Sequence, residues 1–285
     1  MARGNAAWFD AMTMSLCFWG VRGSLPTPGP ATLRYGGNTP CISLRCGPHL
    51  LILDAGSGLR TLGDTLTGSI SADLLLSHVH IDHICGLPFF RPMFDPATRL
   101  RIWGGGLTPL EPIATAVGRS LRAPLMPNLD AAFRATIDYR DVAPGETFMP
   151  HSGLTVASFA VDHPGGALAY RIAWGGASLS YVTDAENAAG PPDAALAAFV
   201  AGADLLICDA SYSDAEYPDR VGWGHSTWEG AIRLANAAGA GTLVLFHHDF
   251  AHDDDTMDSI AAAAATRRPG TLAAREGLEI TLSGR

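Results

Sequence analysis

The densest chemistry in this sequence is the run Ser77-His78-Val79-His80-Ile81-Asp82-His83, which follows a short apolar stretch. On extended chain, residues i and i+2 face the same side, so His78 and His80 can share one ion. Asp82 and His83 come after the chain turns and can reach a second point a few ångströms away. Imidazole and carboxylate ligands at this density favour a borderline divalent metal such as Zn²⁺ or Mn²⁺ over a soft, thiolate-bound ion. One loop cannot complete two metal shells, so further ligands are expected at later strand ends. The sequence carries them: His163 follows the apolar stretch 155–160, Asp184 follows 178–182, and His247 with His248 closes 243–246. Because side chains alternate along a strand, at most one of His247 and His248 points at the metals.

The HxHxDH loop, the lone histidine, the strand-end aspartate and the late histidine together resemble the metallo-β-lactamase superfamily, from Leu16 onward. That resemblance implies an αββα sandwich of two mixed β-sheets flanked by helices, with a dinuclear metal site along one edge. Carried over position by position, it gives His78, His80 and His163 to the first metal. Asp82, His83 and His247 go to the second, and Asp184 bridges both. The implied cofactors are two divalent metal ions, which lower the pKa of a bridging water and supply hydroxide near neutral pH.

Four further features bear on the branch of that superfamily. The motif Gly224-His225-Ser226-Thr227 and the strand leading to His247 resemble the late motifs of ribonuclease Z and its phosphodiesterase relatives. There a histidine pairs with an acidic residue at a preceding strand end, a place held here by Asp209. Such a pair can stabilise or protonate a departing alkoxide, and the expected catalytic residues are His225, Asp209 and Asp82. The bland alternative for His225 is an N-cap or structural histidine. Asp54, after a buried strand, matches the aspartate that supports the metal-binding loop in this superfamily. The loops Val21-Arg22-Gly23-Ser24 and Tyr35-Gly36-Gly37-Asn38-Thr39 resemble a cyclic phosphodiesterase branch. Asn38 or Arg22 is a substrate contact on that reading, and turn formation explains the glycines equally well. In the tail, His248, Asp249 and His252 are candidates for supporting contacts, whereas Asp253 to Asp255 read as a solvated helix start, where carboxylates are favoured.

Departures narrow the substrate. Only 20 residues separate His163 from Asp184, room for a hairpin and not for the long transfer-RNA arm of common ribonuclease Z. Zinc β-lactamases carry cysteine where this chain has Asp184, and the phosphonate-pathway diesterase has an additional cysteine-based zinc site without counterpart here. The expected reaction is hydrolysis of a small, cyclic phosphodiester, a cyclic nucleotide or cyclic sugar phosphate. The alternatives are a carbonyl hydrolase (lactonase or thioesterase) on the same site, and a metal-bound binding protein without turnover.

Composition agrees. The 285 residues carry 28 acidic and 19 basic side chains, a formal charge of −9, and no lysine. An acidic chain repels polyphosphate and anionic membranes at long range, so neither large nucleic acid nor membrane is an expected partner. Absent lysine excludes Schiff-base catalysis. Five scattered cysteines read as buried free thiols, suited to a reducing cytoplasm. No apolar run approaches the ~18 residues of a membrane span, and the N-terminus lacks the pattern of a signal peptide. The expected partner is a small phosphodiester, with a homodimer as the conceivable assembly.

Apolar runs rich in branched residues predict strands at 16–19, 42–45, 50–53, 74–77, 99–103, 155–160, 169–173, 178–182, 205–208 and 243–246. Helices are expected at 58–66, 83–90, 109–120, 192–201, 227–238 and 255–266, the fifth opening on a hydroxyl cap at Ser226-Thr227 and ending at Gly239. Residues 1–13 read as a loose extension, with Met12 or Met14 as an alternative start, and 14–285 as one domain in two halves.

Overall fold

A computed structural model describes residues 12–127, 132–187 and 190–284. Most of the expected 1–13 extension therefore lies outside the described residues. Thr13 lies inside them, its carbonyl accepting from the Gly47 amide at 3.4 Å.

The first half of the chain supplies β1 (Met14–Gly20), β2 (Cys41–Cys46), β3 (His49–Leu53), α1 (Gly58–Thr65), β4 (Ser71–Leu75), α2 (Ile81–Ile84), β5 (Arg99–Gly105), α3 (Ile113–Ser120) and β6 (Thr136–Val142). The second supplies β7 (Thr147–His151), β8 (Leu154–Val161), β9 (Ala167–Trp174), β10 (Ala177–Val182), α4 (Ala194–Phe199), β11 (Leu205–Asp209), α5 (Trp228–Ala237), β12 (Thr242–Phe246), α6 (Asp254–Arg267), β13 (Leu272–Ala273) and β14 (Glu279–Leu282). Two seven-stranded sheets result, ordered β14-β1-β2-β3-β4-β5-β6 and β13-β12-β11-β10-β9-β8-β7. Both are mixed. β3 to β6 run parallel, as do β10 to β13, and the remaining pairs are antiparallel.

Alternation along the strands sends one face of each sheet to a shared interior. Leu16, Phe18, Leu44, Leu51, Leu53 and Leu75 of the first sheet meet Val156, Tyr170, Ile172, Leu179, Ile207 and Phe246 of the second. Full burial of each such side chain stabilises the fold by about 1.5–3 kcal/mol. The outer face of the first sheet is covered by α1 and α3, through Leu59, Leu62, Ile113 and Val117. Leu196 of α4, Trp228, Ile232 and Leu234 of α5, and Ala264 of α6 cover the second. The expected αββα sandwich is the observed one.

Helix α2 departs from expectation. In place of a helix over 83–90, it ends at Ile84, and Leu87–Phe89 and Arg91–Phe94 form separate 3₁₀ turns. Pro88 has no amide to continue the ladder, and the Gly86 amide is already committed to the Ala55 carbonyl. Asp82, expected in the turn before the helix, thus sits with His83 on a single helical turn. α3 likewise begins at Ile113, with Pro112 at its N-cap. The segment between His163 and Asp184 is the expected hairpin, β9 and β10 joined at Gly175-Gly176. The described residues include no helix long and apolar enough to cross a membrane. All five cysteines are free thiols, Cys41, Cys46 and Cys208 buried, and burial pushes the Cys46 thiol up to about 12.

Candidate active site

Because β8 is two antiparallel steps from β10, it runs in the same direction as β10, β11 and β12. Their C-terminal ends deliver His163, Asp184, Asp209 and His247 to one edge of the sandwich. β3 and β4 deliver Asp54 and the Ser77–His83 segment to the same edge, where the hydroxyl of Tyr181 on β10 donates to Asp54 at 2.7 Å. Three of these strand-end residues have left-handed backbone, Asp54 at φ 57°, Asp184 at 51° and His247 at 60°. Non-glycine residues adopt that conformation rarely and at a cost of order 1–3 kcal/mol. The kink turns each chain off its strand and brings the side chain over the sheet edge.

Asp54 is fully buried and organises the first half of the cluster. It accepts from the Ser77 amide (2.7 Å), the Ser77 hydroxyl (2.9 Å) and His83 Nδ1 (2.8 Å). Ser77 Oγ in turn lies 3.0 Å from His78 Nδ1. With Nδ1 protonated on both rings, Nε2 of His78 and of His83 presents a lone pair to the centre. His163 is set the same way, its Nδ1 donating to the Gly224 carbonyl at 2.9 Å. His247 Nδ1 meets Ser211 Oγ at 3.1 Å.

The free ends converge. His163 Nε2 lies 3.0 Å from His80 Nδ1, and His83 Nε2 lies 3.3 Å from His247 Nε2. Asp82 Oδ2 stands 3.3 Å from both His83 Nε2 and His247 Nε2. Asp184 reaches His83 Nε2 at 3.2 Å, His247 Nε2 at 3.4 Å and His78 Nε2 at 3.8 Å. Grouped by mutual distance, His78, His80 and His163 could hold one ion, and Asp82, His83 and His247 another. Asp184 touches both sets. Asp184, Asp209, His225 and His247 form a further group of metal-holding geometry.

The donor chemistry fits divalent metal. His78 Nε2 is buried without a hydrogen-bond partner, an expensive arrangement unless a ligand completes it. Burial holds His78, His80 and His163 below the usual imidazole range, hence neutral and able to coordinate. Burial would raise Asp82 and Asp184, but the surrounding imidazoles outweigh it and keep both ionised. For His83 burial acts downward, and the carboxylates of Asp184, Asp82 and Asp54 override it and hold the ring's pKa above the usual imidazole range, so a metal at its Nε2 would displace a proton to reach the lone pair.

His225 sits beside this cluster on the loop before α5. Its Nδ1 donates to Asp209 Oδ2 at 2.9 Å, and its ring stacks on His247 with centroids 5.0 Å apart. Burial pulls His225 down, but Asp209 more than compensates and lifts it to about 9. Asp209 is itself fixed by the Ser211 amide and hydroxyl, at 2.9 and 2.8 Å, and by the Asp184 amide at 3.1 Å. The α5 N-cap is Thr227, whose hydroxyl accepts from the Gly230 amide, so His225 is not the capping residue.

Several sequence candidates lie elsewhere or serve differently. Arg22 is wholly buried, and its guanidinium donates to the carbonyls of Gly36, Asp249 and His252. It is a knot tying two loops, not a substrate contact. Asn38 is likewise committed, donating its side-chain amide to Glu276 and accepting from Ser57. His248 points away from the cluster and donates Nε2–H to the Ala274 carbonyl at 2.8 Å, so His247 is the member of the pair that reaches the site. The Asp249 carboxylate caps the Ala251 amide, and His252 pairs with Glu216. In the acidic run, Asp253 caps α6, but Asp254 is buried and accepts from the Arg34 and Tyr35 amides rather than facing solvent.

Other contributors escaped the sequence reading. The Ser24 amide donates to Asp82 at 2.8 Å. A Cβ on Gly23 would come within 2.4 Å of the His247 ring, and one on Gly224 within 2.2 Å of His163 Nδ1, so both glycines are required for close approach. The Glu186 carboxylate accepts from Tyr217 Oη and the amides of Gly222 and Gly224, fixing the loop that carries His225. Only the proximity of Glu186 to Asp184 in sequence hinted at this.

The model of the beta-lactamase superfamily domain matches residues 51–248. Among curated relatives, ribonuclease Z of Mycobacterium sp. (strain KMS) is 28% identical over 239 residues, spanning 78% of this chain and 81% of that protein. The probable metallo-hydrolase YhfI of Bacillus subtilis (strain 168) is 26% identical over 256 residues, 85% of this chain and 90% of that one. The crystal structure of the Bacillus subtilis metallo-beta-lactamase fold protein YhfI matches with a TM-score of 0.70 at 21% identity, covering 95% of this chain and 100% of that one. A diphosphatase from the PhnP family matches with a TM-score of 0.69 at 18% identity, over 94% and 97%.

Proposed function

The chain belongs to the beta-lactamase superfamily and is a metal-dependent hydrolase, and from that premise we propose that it cleaves a small, cyclic phosphodiester. The observation that carries this reading is His225, held through Nδ1 by Asp209 beside the convergent cluster. His78, His80 and His163 would hold one divalent ion, Zn²⁺ or Mn²⁺, and Asp82, His83 and His247 a second, with Asp184 shared. Bound divalent ions supply Lewis-acid chemistry, acidifying water and neutralising phosphate oxygens. The chain's own part is to orient and to move one proton. Asp54 and Ser77 fix the rings of His78 and His83, and Ser211 and Gly224 fix those of His247 and His163.

Asp209 keeps His225 protonated, so that its Nε2–H is donated to the oxygen that leaves phosphorus, and the proton passes to that oxygen as the bond breaks. An uncompensated alkoxide is a poor leaving group, which is why a held imidazolium is worth its burial there. The short β9–β10 hairpin and the acidic balance support a small substrate over a folded RNA. His225→Ala tests the assignment: it should keep its metal content and lose about 10²–10⁴ in turnover of bis-p-nitrophenyl phosphate. Loss of an ion on that substitution would make His225 a ligand and overturn its role as proton donor.

A further inference from the structure

Among the described residues four non-glycine positions have left-handed backbone, and only one of them contributes no side chain to the cluster. That one is Ser24, at φ 62°. It is exposed, and its hydroxyl makes no hydrogen bond among the described residues. A left-handed conformation is sterically costly for a residue with a Cβ and persists where the surrounding structure enforces it. What the turn delivers is the Ser24 amide, which donates to Asp82 Oδ2 at 2.8 Å. The residues just before it run beside a second member of the cluster. The Gly23 amide donates to the His248 carbonyl at 2.8 Å, and the His248 amide to the Val21 carbonyl at 2.9 Å. Gly23 lies so close to the His247 ring that a Cβ would come within 2.4 Å of Nδ1 and Cε1. The Arg22 guanidinium anchors the same segment to the Gly36, Asp249 and His252 carbonyls. Residues 21–24 thus form a strap fastened beside Asp82 and His247, two of the three residues of one metal-holding group. None of its hydrogen bonds reaches His78, His80 or His163. In that other group, His78 and His163 are oriented by Ser77 and by the Gly224 carbonyl.

We propose that the strap 21–24 positions the second metal ion alone, so that the two metal positions are supported, and can be lost, separately. The Ser24 amide takes one lone pair of the Asp82 carboxylate and fixes its rotation. A carboxylate left to rotate would not keep Oδ2 3.3 Å from both His83 Nε2 and His247 Nε2. Gly23 leaves the space that the His247 ring occupies, and the backbone pairing with His248 holds the kink at His247, φ 60°, that turns this ring over the sheet edge. Relaxing the strap therefore frees Asp82 and His247 together and leaves His78, His80 and His163 in place. Groups that orient metal ligands typically change metal affinity about 10–100-fold, and here that change falls on one position. Gly23 and Ser24 are positioning residues, acting through His247 and Asp82. This rests on the two-ion reading given above and is independent of which substrate is cleaved.

Metal retention rather than turnover tests it. Zn²⁺-loaded protein is equilibrated with graded chelator, and elemental analysis reports how many ions each chain keeps and how tightly. Wild type should hold two. Gly23→Ala, which pushes a methyl group against the His247 ring, should hold one ion as wild type does and the other about 10–100-fold more weakly. Ser24→Val should do the same, because a β-branched side chain disfavours left-handed backbone and withdraws the amide from Asp82. Ser24→Gly keeps the amide and accepts the conformation, so it should retain both ions, which separates the backbone from the hydroxyl. The ion that each variant keeps shows that it is folded. On His80→Ala, which disables the first position, Gly23→Ala should weaken the remaining ion. On Asp82→Ala, which disables the second, it should change nothing further. Wild-type retention of both ions in Gly23→Ala and Ser24→Val, or equal weakening of both, would overturn the proposal. A wild type that holds a single ion removes the two-ion reading and the proposal with it. Two ions in wild type, weakened equally in the variants, removes the proposal alone.

Discussion

Replacing Asp54 by asparagine keeps the shape of the side chain and removes its charge, and the buried hydrogen bonds at that position define the consequence. Asp54 accepts from four donors, with Oδ1 taking the Ser77 amide and Oδ2 taking Ser77 Oγ, His83 Nδ1 and Tyr181 Oη. In Asp54→Asn the carbonyl oxygen best replaces Oδ2, which turns the NH₂ group towards the Ser77 amide. The Ser77 amide and the new NH₂ group then face each other without an acceptor, at about 1–3 kcal/mol each, and the bond from His83 loses its charge assistance, about 1 kcal/mol more. Urea unfolding of the metal-stripped protein should show a loss of about 3–7 kcal/mol with an unchanged slope. Because His78 and His83 are both aligned through this carboxylate, metal affinity should fall about 10–100-fold in a chelator competition. An unchanged urea midpoint together with wild-type metal affinity would refute the idea that Asp54 holds the two rings.

Three further substitutions probe neighbouring parts. Gly224→Ala places a methyl group against His163 and imposes a φ of +83° on a residue with a side chain. Metal content by elemental analysis should drop, and full occupancy would show that the loop can give way. His225→Ala, as above, should separate turnover from metal retention. His248, driven down to about 3 by burial, stays neutral in the native state while the unfolded chain titrates near 6.5. Its contribution is therefore complete above about pH 6.5 and declines by about 1.4 kcal/mol per pH unit as the pH falls towards 3. His248→Gln, which retains a donor for the Ala274 carbonyl, should flatten that dependence in urea midpoints taken at pH 7, 6 and 5, and identical slopes would contradict it.

The chemistry of the site was legible because the residues that could hold metal are concentrated where apolar runs end, and both period and composition mark those ends. Contacts made through backbone were not legible. Arg22 spends its charge on carbonyls 14 to 230 positions away, and no side-chain pattern signals this. Left-handed conformations at Asp54, Asp184 and His247 fall on residue types that adopt them more readily than most, but most Asp and His residues do not, so type alone does not mark these three. The four strands that went unrecognised, β6, β7, β13 and β14, are the edges of the two sheets. Edge strands face solvent on more sides and carry polar or charged residues that discourage pairing with another molecule. β6, Thr-Ile-Asp-Tyr-Arg-Asp-Val, reads accordingly as a loop, and only one of its seven residues is buried. The short α2 was overextended because Ile84, Leu87 and Phe90 keep helical spacing, while Pro88 and the Gly86 approach to Gly56 break the backbone between them.

The account stands most directly on one measurement: chelated protein, reconstituted separately with Zn²⁺ and with Mn²⁺, assayed against bis-p-nitrophenyl phosphate, a cyclic nucleotide and a lactone. It predicts no turnover in the chelated protein, and restored cleavage of both phosphodiesters on adding at least one of the metals. Lactone cleavage without diester cleavage, or diester cleavage that survives chelation, would contradict it.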